Sequence, residues 1–168
     1  MTNSLICGMT CSGKTTLAVS ICHDYMRAGF NTVVLDPLLD PRWGSDVLTT
    51  DPVFFLAIAT HPESSRLALF IDESGEMIGH YNDEMFILAT RIRHKGHNSH
   101  FITQRVKAIS PTVRTQCEFL FMFNSNVDDA TELSKDFNRP ELKTANILRQ
   151  GEYFKYARFG SLEKLSIF

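Results

Sequence analysis

Apolar and polar positions along the chain fall into short blocks whose period changes from one block to the next. Ser4 to Cys7 is a brief run that reads as a buried strand. From Lys14 to Ala28, Leu17, Ala18, Ile21, Cys22 and Tyr25 recur near helical spacing, and Gly29 stops the helix. Thr32 to Leu35 reads as the second strand. Asp36 to Pro52 holds three prolines, Gly44 and the only tryptophan, Trp43, and reads as a loop. Leu67 to Ile71 is apolar throughout, as a central parallel strand covered on both faces must be. Asp83 to Arg93 reads as a helix that ends near Gly96. His100 to Thr103 and Glu118 to Phe123 are strands, and Asp128 to Phe137 is a helix before Pro140. Gly151 to Phe159 alternates like a strand, and Leu162 to Phe168 adds a last one. Strands interleaved with helices predict an α/β fold with a central, mostly parallel sheet flanked by helices.

Composition sharpens this only slightly. With 168 residues, 43% hydrophobic and 21% charged, the chain suits one globular unit spanning residues 1–168, without repeats or low-complexity segments. A formal net charge of −2 argues against coating nucleic acid by charge alone, although not against a ring that grips it with a few residues per subunit. Cys7, Cys11, Cys22 and Cys117 form no C-x-x-C pair, and reduced thiols in a cytosolic compartment are expected. The longest apolar run, Val53 to Ala59, is far too short for a membrane span. A soluble, non-secreted protein follows as the expectation, with any membrane association supplied by a partner.

Candidate chemistry begins at Gly8. Gly8-Met9-Thr10-Cys11-Ser12-Gly13-Lys14-Thr15 satisfies G-x-x-x-x-G-K-[ST] at every defined position, between a strand and a helix, and Thr16 follows it. The glycines let backbone N–H groups turn inward around phosphate oxygens, and the helix adds the positive end of its dipole. Lys14 is expected to reach the β- and γ-phosphates of ATP, and Thr15 to offer its hydroxyl to Mg²⁺. Leu67-Ala68-Leu69-Phe70-Ile71-Asp72-Glu73 is an apolar strand that ends in two carboxylates. Asp72 is placed to hold Mg²⁺, and Glu73 to act as general base on the attacking water.

Arg93-His94-Lys95-Gly96-His97-Asn98-Ser99-His100-Phe101-Ile102-Thr103-Gln104-Arg105 narrows the choice. An arginine three residues before a glycine, followed by a strand ending in Thr-Gln-Arg, resembles the FtsK/HerA superfamily of DNA-pumping ATPases. The resemblance continues through Pro111-Thr112-Val113-Arg114 and Asn124-Ser125-Asn126-Val127-Asp128-Asp129, and covers most of Gly8 to Leu133. Val106 and Lys107 depart from it, because proline usually follows Thr-Gln-Arg there. The resemblance implies a RecA-like fold, a pentameric or hexameric ring, double-stranded DNA as partner, and Gln104 near the γ-phosphate as sensor or water-orienting group. It places Arg93 as the arginine finger on a neighbouring subunit's nucleotide, with Arg91 as runner-up. The compact form is most like the packaging ATPases of membrane-containing icosahedral viruses. That implies a capsid-vertex or membrane partner, and a place in the host cytoplasm or at the virion's packaging vertex. Zonula-occludens-toxin-like assembly ATPases share the motifs. A phage or conjugation assembly ATPase that pumps no DNA, and a P-loop small-molecule kinase, are the rival readings.

Other constellations carry less. His94, His97 and His100 form H-x-x-H-x-x-H, but a helix end, a turn and a strand start do not aim three rings at one point, and surface or subunit-interface histidines are expected. Trp43 suits stacking near a base, a subunit contact or simple packing. Arg42, Lys107 and Arg114 are candidates for the DNA backbone, and Arg105 for a sensor or DNA contact. Tyr153 to Phe159 mixes aromatic and basic residues and reads as an ordinary amphipathic strand rather than a single-strand stacking surface. Cys11, inside the P-loop, offers a point of thiol oxidation.

Overall fold

The computed structural model describes residues 2–64, 66–77 and 83–168; the side chains of residues 77, 83–85 and 93 lie outside it. Its frame is one eight-stranded sheet. In chain order the strands are β1 (Ser4–Cys7), β2 (Asn31–Leu35), β3 (Val47–Thr49), β4 (Leu67–Ile71), β5 (Asn98–Thr103), β6 (Phe119–Phe123), β7 (Glu152–Ala157) and β8 (Leu162–Ser166). In space they run β3-β2-β4-β5-β1-β6-β7-β8. All pairings from β3 to β6 are parallel, whereas β7 and β8 are antiparallel. The mostly parallel α/β sheet expected from the sequence is therefore present.

Strand alternation sends side chains to two cores. Leu5, Cys7, Leu69, Ile71, Phe101 and Met122 face one side, where α2 (Pro52–Thr60), α4 (Asp83–Thr90), α5 (Pro111–Thr115) and α6 (Val127–Asp136) supply Phe55, Leu88, Val113 and Leu133. Ile6, Val34, Phe70, Ile102 and Phe123 face the other, packed by Ala18 and Cys22 of α1 (Lys14–Arg27) and by Trp43. All five residues of β4 are buried, which is why its sequence shows no alternation.

The differences from the sequence reading have local causes. Asp36 to Pro52 is not plain loop: Pro41–Trp43 is a 3-10 turn capped by Asp40, and Val47–Thr49 pairs with β2. Val53 to Ala59 lies in a helix, because the Asp51 side chain accepts from the Val53 and Phe54 N–H groups and Pro52 fits the first turn. The helix expected to reach Arg93 stops at Thr90, and Ile92–Lys95 continues as a 3-10 turn. The short α3 (Ser74–Met77) directly follows β4.

Two chemical expectations are corrected, for the histidines and for Arg114, and one of the readings open for Trp43 is selected. His97 and His100 are not surface or interface groups; both are buried inside the fold. His97 bonds to Ser64 Oγ at 3.2 Å and receives the Leu67 N–H at 3.1 Å, while His100 pairs with Ser4 Oγ at 2.7 Å and stacks on Phe70. Among the described residues no three or more His, Cys, Asp or Glu side chains are grouped so that they could hold a metal ion. Arg114 is no backbone contact for DNA: it is 1% exposed and ion-paired to Asp136 at 2.6 Å and Glu132 at 2.9 Å. Trp43 is wholly buried, with its indole N–H donated to Asp36 Oδ2 at 3.0 Å, so packing is its role. The Tyr153 to Phe159 run is the amphipathic strand β7 as read, with Tyr153 and Tyr156 buried.

Candidate active site

Parallel strands deliver their carboxyl ends, and the loops that follow them, to one edge of the sheet. The loop Gly8 to Gly13 leaves β1 there, Asp72 and Glu73 leave β4, and Gln104 leaves β5. β5 lies between β1 and β4, pairing Cys7 with Thr103 on one side and Ile71 with Phe101 on the other. That insertion sets a one-strand gap between the phosphate loop and the acidic pair, and places Gln104 in the gap.

The phosphate loop is held tightly against its neighbours. A Cβ on Gly8 would stand 2.7 Å from the Phe123 Cβ and 2.9 Å from the Asn124 carbonyl, so only glycine fits. Gly13 turns the chain into α1 at φ 115°, where a Cβ would lie 2.5 Å from Ile167. The Met9 N–H donates to Asn124 O at 2.7 Å, the Gly151 N–H to Ser12 O at 3.1 Å, and the Gln150 amide to Cys11 O at 3.1 Å. Lys14 is buried and folds back to donate from Nζ to Met9 O at 2.9 Å. Burial lowers its pKa, and the nearby Glu73 and Asp72 carboxylates oppose the shift. Ser12 Oγ is buried with no hydrogen-bond partner among the described residues.

Thr15 and Asp72 meet across the gap, the Thr15 hydroxyl donating to Asp72 Oδ2 at 3.3 Å. Burial raises the Asp72 pKa to about 6, only partly offset by the Glu73 N–H that bonds its Oδ1 at 2.9 Å; the charges of Asp36 and Glu73 push it further up. A hydroxyl and a buried carboxylate crowded by like charge make a donor set for a small hard cation such as Mg²⁺.

Glu73 sits at φ 46°, a left-handed conformation that a glutamate rarely adopts. Its Oε1 accepts from Gln104 Nε2 at 2.6 Å, and Gln104 Oε1 accepts from the Thr10 hydroxyl at 2.6 Å. A carboxylate can only accept, so the amide nitrogen must face Glu73 and its oxygen the hydroxyl. A polar chain Thr10–Gln104–Glu73 thus links the phosphate loop to the acidic strand.

The structure brings together Lys14, Thr15, Asp72, Glu73 and Gln104, as the motifs implied. Arg91 is exposed, and the Arg93 side chain lies outside the described residues. Arg105 is exposed and stands 3.5 Å from buried Asp129. Asn124 and Gln150, which buttress the loop, were missed, because no spacing rule connects them to residues more than a hundred positions away. Arg42 lines a cleft beside the phosphate loop.

No protein-family model and no curated protein sequence matches the chain. Solved structures do match. The genome packaging NTPase B204 from Sulfolobus turreted icosahedral virus 2, in complex with AMPPCP, superposes with a TM-score of 0.83 at 18% identity, over 97% of this chain and 96% of that one. The N-terminal domain of zonular occludens toxin from Neisseria meningitidis gives 0.62 at 16% identity, covering 99% and 93%. The pCW3 conjugation coupling protein TcpA with ATPγS gives 0.70 at 13% identity, over 98% of this chain and 59% of that one. This chain therefore has the RecA-like P-loop NTPase fold shared by a viral packaging NTPase, a zonular occludens toxin domain and a conjugation coupling protein, in accord with its sequence resemblance to the FtsK/HerA superfamily.

Proposed function

We propose that this chain is an ATP-hydrolysing motor that translocates double-stranded DNA, and that it packages a viral genome into a capsid. The observation that carries the reading is the convergence of Lys14, Thr15, Asp72, Glu73 and Gln104 at one edge of the sheet, with β5 set between β1 and β4. The unpaired hydroxyl of Ser12 and the buried ammonium of Lys14 both suit an anionic phosphate chain. Residues Gly8 to Thr16 would cradle the phosphates, with Lys14 on the β- and γ-phosphates. Thr15 and Asp72 would hold Mg²⁺, which supplies charge neutralisation on the phosphate oxygens. Glu73 would accept the proton of the attacking water while Gln104 fixes the carboxylate and the water between them. Arg93 of an adjacent subunit would neutralise charge as the terminal phosphate departs. In this reading residues 1–168 form one motor unit, working as a pentameric or hexameric ring at a capsid vertex, with a vertex or membrane protein as its dock. It acts in the host cytoplasm or on the virion. No helix among the described residues is long and apolar enough to cross a membrane.

The test is the rate of ATP hydrolysis against protein concentration, with and without double-stranded DNA, for the unaltered chain and Arg93→Ala. Steep concentration dependence, stimulation by DNA and collapse in the variant are expected. A rate indifferent to concentration, to DNA and to Arg93 overturns the translocase reading and leaves an assembly ATPase or a kinase.

A further inference from the structure

A nucleotide whose phosphates occupy the P-loop must place its base somewhere, and one cleft beside the loop offers planar groups for it. Beside α1 a cleft of about 310 Å³ is walled by Gly13, Lys14, Thr15 and Thr16, and completed by Arg42, Gln150 and Phe168. It shares Cys11, Gly13, Lys14, Thr15 and Thr16 with the phosphate site but has no residue in common with the pocket at Glu73 and Gln104. The residues proposed to act on the terminal phosphate, Glu73 and Gln104, therefore lie apart from Arg42, Gln150 and Phe168.

Phe168 is anchored yet uncovered. The Ile167 N–H donates to Gly151 O at 3.1 Å, and Gly151 in turn donates to Ser12 O of the P-loop at 3.1 Å. Gly151 has φ 82°, and a Cβ there would fall 2.4 Å from the Phe168 ring, so that ring lies flush on the glycine. Ile167 packs against Gly13. With all these ties, Phe168 still leaves 85% of its surface to solvent. The other planar group, the Arg42 guanidinium, is oriented by Asp40, which accepts from Nε at 2.8 Å and from Nη2 at 2.5 Å.

We propose that Phe168, with Arg42, is the nucleobase-binding face of this site, taking the purine of a nucleoside triphosphate; this rests on the nucleotide reading above. An aromatic ring and a guanidinium plane both stack on a base face, and every base presents one. Stacking on a ring and a guanidinium plane is indifferent to the base's edge, and the nearby edge-reading nitrogens are largely committed: Gln150 Nε2 to Cys11 O at 3.1 Å, and Arg42 Nε and Nη2 to Asp40. The face thus selects for a purine over a bare phosphate chain, and hardly between adenine and guanine.

The experiment is calorimetric titration of the full chain with the Mg²⁺ complexes of ATP, GTP and inorganic tripolyphosphate. The proteins compared are the unaltered chain, Phe168→Ala, Phe168→Trp and Arg42→Ala. ATP and GTP affinities should agree within about threefold and fall about tenfold in Phe168→Ala, as loss of one base–aromatic stack entails. Arg42→Ala should lower both, tripolyphosphate should bind all four proteins alike, and Phe168→Trp should restore ATP binding. Equal ATP affinity in Phe168→Ala and the unaltered chain overturns the inference alone. An equal loss of tripolyphosphate binding also overturns it, by showing that the ring merely props the P-loop. An unaltered chain that binds tripolyphosphate but gains nothing from the base overturns it too. Failure of the unaltered chain to bind any of the three overturns the nucleotide reading itself.

Discussion

Gln104 Nε2 donates a hydrogen bond to Glu73 Oε1 at 2.6 Å, joining residues 31 positions apart at the carboxyl ends of adjacent strands β5 and β4. The bond fixes the orientation of the carboxylate proposed to take a proton from water. Glu73→Gln should lower kcat for ATP by about 10²- to 10⁴-fold, the usual worth of a general base, with nucleotide affinity retained. Gln104→Ala should lower kcat with little change in KM, because it removes a positioning group. Steady-state hydrolysis and direct nucleotide titration check both; a Gln104→Ala effect confined to KM would refute the positioning role.

Thr10 reaches the same network from the phosphate loop, through its 2.6 Å bond to Gln104 Oε1. Thr10 is exposed, so Thr10→Val should leave the fold intact while freeing the amide to rotate. The expected cost is about fivefold in kcat, from the loss of a hydrogen bond worth ~1 kcal/mol, with recovery in Thr10→Ser. Valine and serine variants with the same kcat would show that the hydroxyl is idle.

Arg114 holds Glu132 and Asp136 and also donates to the Val106 and Ile109 carbonyls at 3.1 and 3.2 Å. It clamps α5 to α6 and to the turn after β5. Arg114→Ala leaves two buried carbonyls and two partly exposed carboxylates without their donor, and should destabilise the fold by about 2–3 kcal/mol in urea unfolding. A stability loss below ~1 kcal/mol, accompanied by weaker DNA stimulation, would restore the surface-contact role that burial rules against.

His100 is fully buried, and burial lowers its pKa from 6.5 to about 3. Around it lie Ser4, the Tyr25 ring at 5.1 Å and the Phe70 ring at 4.5 Å. The unfolded chain binds a proton at this site below pH 6.5, whereas the folded chain does so only near 3. Stability from this group is therefore complete above pH 6.5 and lost as pH falls through the window, by up to ~1.4 kcal/mol per pH unit. His100→Gln should flatten that part of the stability–pH profile between pH 6 and 4; parallel profiles for the two proteins would disprove the assignment.

Much of the frame was legible because its determinants are local. An all-apolar β4, the strand-to-helix turn at the P-loop and the glycine after α1 each follow from a few consecutive residues. The helix α2 carried its own start signal in Asp51-Pro52, but the apolar run behind it has no helical alternation and was passed over. The 3-residue β3 is too short for periodicity to reveal; its pairing with β2 defines it.

The sequence by itself determined which residues carry phosphate chemistry, since Gly8 to Thr15 and the Asp72-Glu73 pair obey spacings imposed by backbone geometry within one turn or one strand end. Tertiary structure alone decided what surrounds them. Only the order of strands could set β5 between β1 and β4, and so put Gln104 on Glu73. Only packing could bury His97, His100 and Arg114, whose polarity along the chain suggested surface. Only the antiparallel return of β7 and β8 brings Gln150 and Phe168 back to a loop that begins at Gly8. Spacing rules reach as far as a helix turn or a strand pleat, whereas these contacts join residues 31 positions apart at Gln104–Glu73 and 139 apart at Gln150–Cys11, and are fixed by how the sheet closes its cores.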